Sequence, residues 1–109
     1  MPAPEEILAL MPDRFDPAQA RGLNVVVQFH LEGEAPSVHH VTIRDGAVEV
    51  ARGVHPKPTM SLTLSGEDFV ALSTGELTSQ LGFMSRRIQI AGDVGMAGDL
   101  LALLGLGSR

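Results

Sequence analysis

Side chains alternate between two faces from Leu23 to Glu32, and this pattern constrains the fold more than any other feature of the chain. One face is wholly apolar and consists of Leu23, Val25, Val27, Phe29 and Leu31. The other face is mostly polar and consists of Asn24, Val26, Gln28, His30 and Glu32. Successive strand residues point to opposite sides of a sheet. The stretch therefore predicts a strand that buries one face and leaves the other in water.

Three further strands are expected directly after this one. Val41 and Ile43 lie on one face of a second strand, which the Asp45-Gly46 pair ends with a strong hairpin signal. Val48 and Val50 continue into a third strand, and a loop with Gly53, Pro56 and Pro58 separates it from a fourth, in which Met60, Leu62 and Leu64 alternate with polar residues. Short connections favour an antiparallel meander with the helices gathered on one face, an α+β fold.

The N-terminal region predicts two short helical pieces. Ile7, Leu8 and nearby apolar residues suit a short amphipathic helix that begins at the N-terminal prolines and ends at Pro12. Asp16-Pro17 resembles an N-cap and first turn, so 17–21 is expected to form a single helical turn.

The second half of the chain predicts three helices and one strand. Ser65 precedes acidic residues at the spacing of a capping box, so a helix is expected over 66–74 with Gly75 ending it. A second helix over 77–84, a strand over 86–91 and a last helix over 94–104 follow, with Gly92-Asp93 as the last N-cap. The last helix is apolar almost all round, so it should be covered on several sides or line an apolar space.

Length, charge and cysteine content exclude several classes of protein. The 109 residues fit one domain, here 1–109. The net charge of −5 opposes binding to nucleic acid or to anionic membranes. Without cysteine there is no disulfide and no thiolate site. No apolar run is long enough for stable membrane insertion and the N-terminus is unlike a signal peptide, so we expect a cytoplasmic protein.

No residue pattern predicts catalysis, a metal site or a cofactor. His39 and His40 are adjacent in a strand and point to opposite faces, so they cannot chelate one ion together and are interpreted as surface residues. Glu67 and Asp68 lie where helix capping explains them. We therefore expect no catalytic residue, no metal ligand and no cofactor.

Two segments of the second half resemble a known family. These are the stretch 64–77, with an acidic pair before Phe69 and a Leu-x-x-Gly ending, and the stretch 82–93, with Phe83-Met84, an alternating strand and Gly-Asp. Together they resemble the signature half of the sterol-carrier-protein type 2 family, and the resemblance extends over about 15–104. The chain is similar to a small stand-alone bacterial-type member.

The resemblance implies a five-stranded, mostly antiparallel sheet with helices packed on one face and enclosing an apolar tunnel. Carried onto this chain, the tunnel wall would comprise Val25, Val27, Phe29, Phe69, Leu72, Leu77, Leu81, Phe83, Met84, Ile88, Ile90, Met96, Leu100, Leu103 and Leu104. One departure concerns the Gly-Lys pair usual in the family, which is Arg86 and Arg87 here. Arg86 and Arg87 are therefore candidate contacts for a ligand's acidic head group, although a guanidinium that points into water is favoured.

The function that follows is a non-catalytic lipid-binding or lipid-transfer protein that holds a fatty acyl, acyl-CoA, sterol-like or isoprenoid ligand. The last helix would have to move for entry, with Gly92, Gly95 and Gly98 as candidate flexible points. Two alternatives stay open. One is an accessory subunit that presents a lipophilic intermediate, such as a quinone precursor, to pathway enzymes. The other is a structural module whose last helix forms a homodimer seam.

Overall fold

The computed structural model describes residues 3–15, 18, 20–33 and 36–106. In chain order its elements are α1 Pro4–Arg14, β1 Asn24–Glu32, β2 Ser37–Arg44, β3 Ala47–Arg52, β4 Met60–Ser65, α2 Gly66–Thr74, α3 Ser79–Met84, β5 Gln89–Gly92, a 3₁₀ helix Val94–Met96 and α4 Ala97–Leu103. The α+β class and all five predicted strands are confirmed.

The strands form one sheet in the order β3-β2-β1-β4-β5. Three pairings are antiparallel, whereas β1 and β4 are parallel, with Val27 opposite Met60 and Phe29 opposite Leu62. The mostly antiparallel sheet is thus confirmed, but the simple meander is wrong, because β4 lies on the far side of β1 and not beside β3. A parallel pair requires the chain to cross over the sheet.

The crossover is made by the loop 53–59, which runs over the sheet face opposite the helices. Its backbone is held by Gly53 N donating to Val38 O at 2.8 Å and by Thr59 N donating to Val26 O at 2.8 Å. Between them, the His55 N–H donates to Gln28 Oε1 at 2.7 Å. Gln28 is therefore 5% exposed. The prediction that this side chain faces water is wrong, because the crossing loop covers it.

The apolar sheet face is covered by helices. Val27, Phe29 and Leu62 are fully buried there, and the Phe69 ring of α2 meets Phe29 edge-on with the centroids 5.3 Å apart. α1 contacts both α2 and β3. Burial of these large side chains supplies the main favourable term for folding.

α1 is longer than the sequence indicates. It continues through Pro12 and ends at Arg14. A proline inside a helix lacks the N–H donor and its ring crowds the carbonyl of residue i−4, which can kink a helix without ending it. Ile7, Leu8 and Met11 are buried while Leu10 is 44% exposed, as an amphipathic helix requires. The helical turn expected over 17–21 lies partly outside the described residues, and 18 and 20–22 form turns only.

The predicted bounds of α2 are confirmed. Asp68 N donates to Ser65 Oγ at 3.0 Å, and Gly75 ends the helix in the left-handed region with φ 84°. α3 begins later than expected, at Ser79, because Thr78 caps it by accepting from Leu81 N at 3.1 Å. Leu77 thus precedes the helix, although its side chain is buried.

The last predicted helix divides into the 3₁₀ helix and α4. Asp93 precedes it but makes no side-chain capping bond, so the capping role predicted for Asp93 is wrong. Gly92 is needed for close packing, since a Cβ there would lie 2.6 Å from Thr59 O in a backbone with φ 93°. β5 is short and begins at Gln89, two residues after Arg87.

Candidate functional site

Exposed apolar side chains concentrate in α3 and in the 3₁₀ helix before α4. Among the described residues, six large hydrophobic side chains are exposed, and four of them lie in α3 and the 3₁₀ helix. These four are Leu81, Phe83, Met84 and Val94. Met84 is 72% exposed and Leu81 59%. Contiguous exposed apolar surface marks a binding site more often than isolated exposed residues do.

A surface cleft of about 320 Å³ opens between α3, β5 and α4, and it is named the first cleft below. It is lined by Ser79, Gln80, Phe83, Met84, Ile90, Val94, Ala97, Gly98 and Leu101. Leu101 is fully buried and Ile90 half-buried. The lining is therefore mostly apolar, with one hydroxyl and one amide side chain.

A second cleft, of about 420 Å³, lies on the other side of α4. It is lined by Leu23, Met96, Asp99, Leu100, Ala102 and Leu103. α4 thus separates two clefts and contributes side chains to both.

The structure places the predicted tunnel residues in four groups. Phe83, Met84 and Ile90 line the first cleft. Met96, Leu100 and Leu103 line the second. Leu81 is exposed on α3 outside both clefts. The remaining eight are buried in the core, namely Val25, Val27, Phe29, Phe69, Leu72, Leu77, Ile88 and Leu104.

Several lining residues were not predicted as site residues. They are Ser79, Gln80, Val94, Ala97, Gly98 and Leu101 in the first cleft, and Leu23, Asp99 and Ala102 in the second. Val94, Ala97 and Leu101 share one stripe of the last helix, a signal that is readable from the sequence. Ser79 and Gln80 carry no such signal.

Arg86 and Arg87 lie between α3 and β5, and neither lines a cleft. Arg87 Nε donates to Asp68 Oδ1 at 3.0 Å and its Nη2 donates to the same oxygen, and this hydrogen bond raises the pKa of Arg87. Arg86 has φ 65°, a left-handed conformation that a glycine would adopt without strain. The head-group contact suggested for the two arginines stays a prediction.

The histidines are not all surface residues. His39 is 5% exposed on the helix-covered face, with Nε2 2.9 Å from Ser37 Oγ. Burial and, to a smaller extent, the Arg52 charge lower the pKa of His39, whereas Glu5 acts in the opposite direction. The surface interpretation of His39 is therefore wrong, because its strand position faces the core beside Val41.

His40 and His55 lie on the opposite face, where the crossover loop meets the sheet. Their rings meet edge-on with the centroids 5.3 Å apart, and His40 Nδ1 is 2.9 Å from Gly53 O. Within the described ranges, no three histidine or acidic side chains are grouped to hold a metal ion. In that same part of the chain, no helix is both long and apolar enough to cross a membrane.

Comparison with known proteins identifies the family. The model of the SCP-2 sterol transfer family matches residues 5–105. Hydroxysteroid dehydrogenase-like protein 2 of Danio rerio is 30% identical over 82 residues, which are 74% of this chain and 20% of that protein. The chain therefore spans about a fifth of this curated relative's length.

Two solved proteins share the fold. Sterol Carrier Protein 2 Like 2 of Aedes aegypti has 25% identity and a TM-score of 0.72 in its crystal structure, over 91% of this chain and 90% of that one. The palmitated form, solved in solution, has 24% identity and a TM-score of 0.74, over 96% and 93%. The sec-alkylsulfatase Pisa1 from Pseudomonas sp. has 19% identity and a TM-score of 0.84, over 99% of this chain and 17% of that one.

Proposed function

Because the chain belongs to the SCP-2 sterol transfer family, we propose that it binds the aliphatic part of a lipid in the first cleft and releases the lipid unchanged. The first cleft carries this proposal, since it is an apolar groove with exposed apolar residues at its rim. Ligand pockets are typically concave and mostly apolar, with few polar groups. The relative from Aedes aegypti, solved in a palmitated form, is consistent with an acyl-type ligand.

Burial of the lipid chain supplies the binding free energy. Each methylene removed from water contributes about 0.8 kcal/mol. Twelve methylenes would contribute roughly 10 kcal/mol before the cost of association is subtracted. Micromolar affinity is the expected result, which suits a carrier that must also release its cargo.

Entry of a long ligand requires α4 to move away from the sheet. Phe83 and Met84 would form the rim, while core residues such as Leu72 and Ile88 would become the inner wall of the proposed tunnel. Gly95 and Gly98 remain candidate flexible points, because glycine has more backbone freedom than other residues. Gly92 is a poor hinge, because it packs tightly against Thr59.

A second candidate function is presentation of a lipophilic molecule to an enzyme. The chain matches 20% of a protein named as dehydrogenase-like and 17% of an alkylsulfatase. A domain with this fold therefore occurs within longer chains whose names denote enzymes. An accessory role towards pathway enzymes is therefore a further proposal, and so is a homodimer formed through the last helix. We also propose a cytoplasmic location.

Native mass spectrometry of the freshly purified protein tests lipid binding without a guess about the ligand. We expect a bound species near one per chain, which lipid analysis after denaturation identifies. A protein that is clean, and that also takes up no pyrene-labelled long-chain alcohol, would refute the proposal. Concentration-dependent sedimentation in the same sample would then favour the structural module.

A pair of variants at Gly98 makes the test specific to the first cleft. Gly98→Phe places a ring in the cleft, and we expect occupancy to fall about tenfold or more because the lipid and the ring compete for the same space. Gly98→Ala adds only a methyl group at the same position and should retain the ligand. Equal occupancy in both variants would place the lipid elsewhere.

A further inference from the structure

The charges around the two clefts limit the kind of lipid that fits. Among the residues that the structure describes, Asp99 is the only ionisable side chain that lines either cleft; it is acidic and lies in the second cleft. The chain as a whole carries a net charge of −5. No described residue that lines the first cleft is ionisable, so a carboxylate or phosphate there would find no positive partner among them. An ion that loses hydration without such a partner is destabilised.

The nearest arginines along the chain do not supply that partner. Arg87 follows α3, but its guanidinium binds Asp68 through both Nε and Nη2. Arg86 is exposed, and it lines neither cleft. An anionic head group would therefore have to break an ion pair or draw Arg86 out of water.

The polar groups of the first cleft suit a neutral head group instead. Ser79 is half-buried and Gln80 exposed, and both lie in the first turn of α3 at the rim. Within the described part of the chain, neither side chain has a hydrogen-bond partner. A hydroxyl and a carboxamide can each donate and accept, so they can pair with an alcohol or a carbonyl group.

We infer that the first cleft selects lipids with an uncharged, hydrogen-bonding head group, such as an alcohol, a sterol hydroxyl, an ester or a quinone carbonyl, over free fatty acids and acyl-CoA. This inference rests on the proposed lipid binding and narrows its ligand class. It also assigns Ser79 and Gln80 the role of head-group contacts, in place of Arg86 and Arg87.

Chain-matched competitors test this selectivity. A pyrene-labelled long-chain alcohol is bound to the full chain at about pH 8, and dodecanol, methyl dodecanoate and dodecanoate are titrated as competitors. Only dodecanoate carries a charge. We therefore expect half displacement of the probe to need a dodecanoate concentration about tenfold or more above that of dodecanol or methyl dodecanoate. Equal or stronger displacement by dodecanoate would overturn the inference while leaving lipid binding intact. If neither the alcohol probe nor a pyrene-labelled fatty acid binds, the proposed function fails, and this inference with it. Binding of the fatty acid alone would overturn only the inference.

A charge introduced at the rim gives a gain-of-binding test. Gln80→Lys places an ammonium group beside the head-group position, so dodecanoate should displace the probe at several-fold lower concentration than in the parent chain. Gln89→Lys is the matched control, since it makes the same change at an exposed residue of β5 that lines neither cleft. An equal gain in both variants would indicate a general charge effect and would contradict the assignment of Gln80.

Discussion

At the scale of single residues, backbone conformation at Arg86 is a source of strain. Its φ is 65°, in the left-handed region where a Cβ costs roughly 1–2 kcal/mol. The turn between α3 and β5 is therefore built with a residue that fits it poorly.

Replacement of Arg86 by glycine is expected to stabilise the protein. Arg86→Gly relieves the strain but gives the unfolded chain more freedom, so the net gain should be about 0.5–1 kcal/mol. The urea unfolding midpoint measures it. Arg87→Gly is the control, since it removes the contact with Asp68 and should not stabilise. A lower midpoint for Arg86→Gly would mean that the arginine makes a favourable contact.

The buried histidine predicts a pH dependence. The pKa of His39 is lowered in the folded protein, chiefly by burial. At a pH below the ordinary pKa of 6.5, the unfolded chain therefore binds a proton at His39 more readily than the folded chain does. Stability is therefore full above about pH 6.5 and is lost as the pH falls through the folded-state pKa. Urea midpoints at pH 7.5 and 5 should differ less in His39→Gln than in the parent chain. An unchanged difference would exclude His39 as the cause.

At the scale of elements, α2 depends on its N-terminal cap. Ser65 Oγ accepts from Asp68 N at 3.0 Å, and Asp68 in turn binds Arg87, so the cap connects α2 to the turn before β5. Loss of one capping bond costs about 1 kcal/mol.

The variant Ser65→Ala tests the cap. We expect it to lower the free energy of unfolding by about 1 kcal/mol. Ser61→Ala removes a hydroxyl from the same strand, where Ser61 has no side-chain hydrogen bond within the described residues, and should cost less. Thermal melts of both variants measure the difference. An equal loss in the two would mean that the cap adds nothing.

At the scale of the whole molecule, stability is distributed unevenly. β1 is central in the sheet, with pairing on both edges and its apolar face buried. α4 has a cleft on each side and no side-chain cap. Elements with open surroundings unfold locally more often than central strands.

Hydrogen exchange should detect this contrast. In the free protein, amides of α4 are expected to exchange faster than those of β1. Their exchange should slow when a lipid is bound, because the bound lipid stabilises α4 in its packed position. Mass spectrometry of peptides covering 97–103 and 24–32 provides the comparison. Uniform slowing of both segments would indicate global stabilisation, and no change in α4 would argue against its role in ligand entry.

Local features of the sequence determined the five strands and α2. Alternation predicts a strand wherever it occurs, and the Ser65 cap and Gly75 stop act within a few residues of the helix they bound. The family resemblance, carried by short motifs in the second half, identified the fold. These signals are readable because each depends on neighbours in the chain.

Only the tertiary structure decided where β4 pairs and which residues line the clefts. The crossover loop 53–59 buries Gln28, and the strand position of His39 places it in the core, neither of which follows from the polarity of the two residues. Ser79 and Gln80 reach the first cleft because α3 packs beside α4. Such placements depend on contacts between distant segments, and the pattern of any one segment does not contain them.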